Sequence, residues 1–131
     1  MDIVIDFDGT CVKHSYPEIG DDIGAAPVLK ALVSEGHNLI LFTMRSDSPR
    51  HDGLTQAISW FEKHGIPLYG VQKNPTQHEW TESPKAYGQL IIDDAALGCP
   101  LIYPLDGSRP YVNWDAVRRL LVMEQLLPPL F

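Results

Sequence analysis

Apolar residues fall along this chain in two alternating rhythms. Short unbroken runs, Ile3-Val4-Ile5, Leu39-Ile40-Leu41 and Leu90-Ile91-Ile92, are too brief for helices and rich in the branched residues that suit strands. Between them the spacing turns helical. Val28, Leu29, Leu32 and Val33 share one face of a segment beginning near Ala26, and Leu54, Ala57, Ile58 and Phe61 recur at i, i+3, i+4 and i+7. Asp52 can cap the second of these helices, while Gly36 and Gly65 stand where the two should stop. The pattern predicts strands at about Asp2 to Asp6, Asn38 to Thr43, Leu68 to Val71 and Gln89 to Asp93, and a short one near Leu101 to Tyr103. Ser83-Pro84 reads as the cap and first turn of a short helix, and a last helix should run from Asn113 or Trp114 to about Leu126. Strands that are apolar throughout, separated by helices, predict an α/β fold with a mainly parallel central sheet covered on both faces.

The polar punctuation falls after the first, second and fourth expected strands, at the carboxyl edge where open α/β sheets build their sites. The first strand ends in Asp6-Phe7-Asp8-Gly9-Thr10. In an extended segment residues i and i+2 point to one side, so Asp6 and Asp8 should repel each other unless a cation or proton lies between them. Mg²⁺ suits such a pair, because it takes oxygen ligands and is commonly held by one or two carboxylates plus substrate phosphate. A second acidic pair, Asp93-Asp94, ends the fourth strand. Adjacent residues of a strand point oppositely, so one of these acids, with Asp93 preferred, should bind metal directly and the other through water or a hydrogen bond.

Composition narrows the class. The chain has 131 residues, 44% hydrophobic and 21% charged, which suits one soluble domain spanning 1–131. No apolar run approaches a membrane span. A strand beginning at once is read as leaving no signal or transit peptide, and two cysteines, Cys11 and Cys99, suit a reducing cytoplasm. Net charge is −7 and the basic residues are scattered apart from Arg118-Arg119, so a polymeric nucleic-acid partner is disfavoured.

The two acidic motifs and the segments between them, taken in order, resemble the haloacid dehalogenase superfamily in its phosphatase-like D-F-D-G-T form. The resemblance covers residues 6 to 94. It implies a Rossmann-like three-layer sandwich and a Mg²⁺-dependent phosphate-monoester hydrolase working through an aspartyl phosphate. Asp6 would be the nucleophile, and Asp8 would protonate the leaving oxygen and then activate water, its backbone carbonyl completing the metal shell. Gly9 would let backbone N–H groups face the phosphate, and Thr43, ending the second strand, would donate to a phosphoryl oxygen. The metal would lie among Asp6, Asp8, Asp93 and Asp94. A lysine should bind the transferred phosphate, and Lys85, just upstream of the last acidic strand, matches the family's placement better than Lys73. Arg45 could fork onto a substrate anion.

One loop and one helix fill the interval from Asp6 to Thr43, and a helix, a strand and a loop fill that from Thr43 to Lys85, so the chain resembles a minimal member without a cap domain. The segment from Cys11 to Asp22 then becomes the local flap, with His14 read as solvated. The expected substrate is a phosphorylated small metabolite or nucleotide; phosphate ends of nucleic acid, or a phosphate-binding module without turnover, stand as alternatives. The overall arrangement, including Tyr16-Pro17-Glu18-Ile19-Gly20 after the first motif, also resembles small uncharacterised bacterial and phage members, which imply no substrate. A signalling receiver domain is rejected, because its phosphoacceptor follows the third strand and here Val71-Gln72 carries no acid. Without a cap, the site should be covered by a homo-oligomeric neighbour or left open to accessible phosphate ends. The apolar tail Leu126 to Phe131 should fold back on its own core or pack on that neighbour.

Overall fold

A computed structural model describes residues 1–130; Phe131, the end of the apolar tail, lies outside the described residues. The chain opens with β1 (Asp2–Ile5), and a long loop leads to α1 (Ala25–Ser34) and β2 (Asn38–Leu41). A small hairpin follows, β3 (Asp47–Ser48) and β4 (His51–Asp52), then α2 (Gly53–Lys63) and β5 (Gly70–Val71). After an irregular excursion with one 3₁₀ turn (Gln77–Glu79) come β6 (Leu90–Ile92), β7 (Leu101–Ile102), β8 (Tyr111–Val112) and α3 (Trp114–Met123).

Four strands form a parallel sheet in the order β5-β2-β1-β6, with Ile5 beside both Leu41 and Ile92. The α/β architecture is Rossmann-like. Ile3, Ile5, Leu39, Leu41 and Ile92 join Leu29 and Leu32 of α1, Ala57 and Phe61 of α2, and Val117 and Leu121 of α3 in one buried cluster. Each such side chain contributes roughly 1.5–3 kcal/mol by leaving water, which fixes the sheet against the helices. On the other face Val4 and Ile40 are also buried, Val4 beneath Gly88, where an added Cβ would come within 2.7 Å of Val4 Cγ2. The helix expected at Ser83-Pro84 does not form. The Gln77 side-chain amide takes the carbonyls of Ser83 and Lys85 and the N–H of Tyr87, the groups a helical turn would use itself.

β2 stops two residues short of Thr43 for a related reason. The Gln72 side chain accepts the Thr43 N–H at 2.9 Å and donates to the Thr43 carbonyl at 2.7 Å, replacing a strand partner. Asn113 caps α3 by accepting the Ala116 N–H, whereas the Asp52 carboxylate at the start of α2 takes the Gln56 side chain instead. Past α3 the chain turns back, and Leu126 and Leu127 are buried in the core cluster. The β3–β4 pair, antiparallel like β7–β8, carries too few apolar residues to have signalled itself in the sequence, whereas β7 falls within the short strand expected near Leu101 to Tyr103. Among the described residues, no helix is long and apolar enough to cross a membrane, and Cys11 and Cys99 are free thiols.

Candidate functional site

β1 and β6 are parallel neighbours that end at the same level, so the residues just beyond them emerge together at the carboxyl edge. The Asp6 N–H still donates to the Ile92 carbonyl at 3.1 Å, which sets Asp6 beside Asp93. One carboxylate oxygen from each of Asp6, Asp93 and Asp94 lies within 4.8 Å of the other two. The buried Thr10 hydroxyl lies 3.0 Å from Asp6 Oδ2 and 3.1 Å from Asp94 Oδ1, and accepts the Asp94 N–H at 3.0 Å. A hydroxyl has one proton, so Thr10 serves one of the two carboxylates at a time. His14 Nε2 is 2.9 Å from Asp94 Oδ2. Both groups press on Gly9, whose φ is +80° and whose absent Cβ would fall 2.0 Å from His14 Nε2 and 2.6 Å from Asp94 Oδ2. Glycine is needed there on both counts.

Three acids so close cannot all ionise without help. Burial, a hydrogen bond shared with Asp94 and the charge of Asp93 together push the Asp6 carboxyl up to about 8, against the opposing pull of the Phe7 N–H and Thr10. Burial would also raise Asp94, but hydrogen bonds from Asp6, His14 and Thr10 hold it below its ordinary value. At neutral pH Asp6 is therefore the proton donor of the pair and Asp94 the acceptor. None of the leading influences on Asp6 is a cationic side chain. Oxygen-only donors with uncompensated negative charge fit a hard divalent cation such as Mg²⁺ and suit neither thiophilic nor imidazole-seeking metals.

Asp8 goes elsewhere. β1 has ended at Ile5, so strand alternation does not carry Asp8 to the side of Asp6. Its two oxygens accept from Arg45 Nε and Nη2, both at 2.8 Å, in a fork the planar guanidinium is built for. Arg45 is 2% exposed, lies between the rings of Phe7 and Tyr16, and also donates to the Glu18 carbonyl at 2.8 Å. This corrects two expectations. The Asp8 side chain is not part of the acidic group, and Arg45, with its donors spent inside the protein, is not free to fork onto a substrate.

The remaining expected residues divide. Thr43 lies at the carboxyl edge one residue past Phe42, whose N–H donates to the Ile5 carbonyl, and its hydroxyl accepts the Arg45 N–H at 3.1 Å. The Gly9 N–H is already spent on the Val12 carbonyl at 2.7 Å, so it does not face an incoming phosphate. Lys85 is not brought to the acidic group. Its carbonyl is held by Gln77, whose amide also holds Tyr87; Asn74 bridges the Tyr87 carbonyl to Asp2, at the start of β1 and the opposite edge of the sheet. Lys73 directly follows Gln72, which is tied to Thr43, and its exposed side chain has no ion-pair partner among the described residues. Thr10 and His14 join the site without having been expected there. Thr10 lies in plain view within the first motif, but nothing in the sequence shows the flap folding His14 back onto Asp94.

No family model matches the chain, and no curated protein does. A solved structure of a conserved protein from Bacteroides thetaiotaomicron is 34% identical, with a TM-score of 0.73, covering 95% of this chain and 91% of that one. The chain belongs to that protein's family. The similarity spans nearly the full length of both chains. The relative is described only as a conserved protein, and the chemistry rests on the residues themselves.

Proposed function

We propose that this protein is a Mg²⁺-dependent phosphate-monoester hydrolase of the haloacid dehalogenase type, acting on a phosphorylated small metabolite or nucleotide. The observation that carries the reading is the convergence of Asp6, Asp93 and Asp94 from two adjacent parallel strand ends. Mg²⁺ held by these three residues supplies the positive charge that lets an anionic nucleophile approach an anionic phosphate. Asp6, once ionised, attacks phosphorus, and the bond to the leaving oxygen breaks with its electron pair going to that oxygen. Asp8, carrying a proton after it leaves Arg45, protonates the leaving oxygen; it then takes a proton from the water that opens the aspartyl phosphate and releases inorganic phosphate. In this reading Thr43 supplies a hydroxyl at the carboxyl edge, and Lys73, exposed and without an ion-pair partner among the described residues, supplies the phosphate-binding charge in place of Lys85. On this reading the domain is a capless three-layer sandwich in which the excursion between β5 and β6 fills the place of an outer layer. Free thiols at Cys11 and Cys99 fit a cytoplasmic setting.

The pairing of Asp8 with Arg45 favours one other reading, a phosphate-binding module without turnover. Turnover of an aryl phosphate with Mg²⁺, compared between the natural protein and Asp6→Asn, separates the two. The hydrolase reading predicts a loss of at least roughly 10³-fold in kcat. Near-normal turnover by Asp6→Asn overturns the covalent route. No Mg²⁺-dependent turnover across phosphorylated metabolites and nucleotides by the natural protein supports the module.

A further inference from the structure

Among the described residues, Arg45 is the buried charged side chain, and it fastens together segments distant in sequence. Beyond the fork on Asp8 and the bond to Glu18, its Nη1 reaches the carbonyls of Pro17 and Gly53, both at 3.4 Å. Tyr16, itself 61% exposed, lays its ring over the guanidinium and meets His51 of β4 edge-on. The base of the flap is held separately. Val12 bridges to Asp22, Lys13 donates to the Asp21 carbonyl at 2.9 Å, and Asp22 is tied to Trp60 of α2 at 2.9 Å. The tip is held by Arg45, by the edge contact of Tyr16 and by His14 on Asp94.

A guanidinium keeps its charge at any pH the protein meets. Enclosed as Arg45 is, it cannot lose a carboxylate partner unless something polar replaces it. With the tip seated, water has no approach to Arg45, and Asp8 is held. Lifting Tyr16, Pro17 and Glu18 removes a ring and two carbonyl acceptors and admits water, which can then take the place of the carboxylate. We propose that Arg45 is a latch, so that lifting of the flap tip and release of the Asp8 carboxylate are one event that opens the acidic edge to an anionic substrate. The role of Asp8 after release rests on the hydrolase reading, whereas the latch itself does not.

Amide hydrogen exchange of the full chain, without metal or substrate, tests the latch. The Glu18 N–H, bonded to the Ser15 carbonyl at 2.9 Å, reports the tip, and the Phe42 N–H, bonded to the Ile5 carbonyl at 2.9 Å, reports the sheet. Tyr16→Ala, which loses one ring and no hydrogen bond, should speed exchange at Glu18 by about tenfold or more and leave Phe42 unchanged. Asp8→Asn, which loses the charged fork, should speed Glu18 too, but its general loss of stability also speeds Phe42, so Tyr16→Ala decides. Unchanged exchange at Glu18 in Tyr16→Ala, or equal acceleration there at Glu18 and Phe42, would overturn the latch. Asp6→Asn should leave Glu18 exchange unaltered, so failure of the latch and failure of the hydrolase reading are told apart.

Discussion

Asp6 and Asp8 stand one residue apart, and the structure treats their carboxylates in opposite ways. Asp8 is fully matched, with both oxygens on one guanidinium and its surroundings supplied by the flap and the start of α2. Asp6 meets two further acids, a hydroxyl that can help only one of them at a time, and no cationic side chain among its leading influences. The matched carboxylate builds the scaffold. The unmatched one holds charge that the protein cannot neutralise by itself, and groups so perturbed cluster where ligands bind. Two identical residues on one short segment thus differ because β1 stops at Ile5 and the Ile92 carbonyl still steers Asp6 but not Asp8.

The contrast breaks most sharply in stability. Asp8→Asn strips the buried guanidinium of its counter-charge and should destabilise the protein by about 3 kcal/mol in urea unfolding. Asp6→Asn should do the reverse in metal-free protein above neutral pH. The Asp6 carboxyl sits at about 8, raised from 3.8, so the folded state keeps its proton where the unfolded chain has lost it. The stability from this group is therefore full below about pH 4 and is lost as pH rises through about 8. Unfolding curves of metal-free protein should show that decline, and Asp6→Asn should flatten it. A decline that survives Asp6→Asn unchanged would detach the pH dependence from the acidic group.

A smaller effect asks whether any lysine completes the unmatched region. Lys73→Ala should lower kcat/KM for an aryl phosphate by about 10²-fold, the scale of a lost electrostatic stabiliser. Lys85→Ala, at the opposite edge, should change it less than about twofold. The reverse ranking would mean that Lys85 reaches the acids by a rearrangement of the excursion between β5 and β6.

Much of this is legible in the chain. Unbroken apolar runs mark the parallel strands, and an acid directly after such a run falls at the carboxyl edge, so the runs place Asp6, Asp93 and Asp94 at that edge, while their convergence depends on β1 and β6 being neighbours. Legibility ends where regular structure ends. Strand alternation would set Asp8 beside Asp6, but it lapses once β1 stops at Ile5. The expected place of Lys85 depends on a helix that Gln77 prevents, by drawing off the carbonyls of Ser83 and Lys85. Arg45 is an anion binder, as its chemistry suggests, but its anion is a residue of the same chain. Such long-range pairings depend on how loops fold over one another, which no local pattern records.

The central claim is that Asp6, Asp93 and Asp94 form a cation site whose filling drives the proton from Asp6. Isothermal titration of Mg²⁺ at pH 7, repeated in buffers of different ionisation enthalpy, measures binding and proton release together. The prediction is a single saturable site, release of close to one proton per Mg²⁺, and tighter binding as pH rises toward about 8, where Asp6 titrates. Asp93→Asn and Asp94→Asn should each weaken the binding at least about tenfold. No saturable binding at millimolar Mg²⁺, or binding that releases no proton and survives both substitutions, would contradict the account.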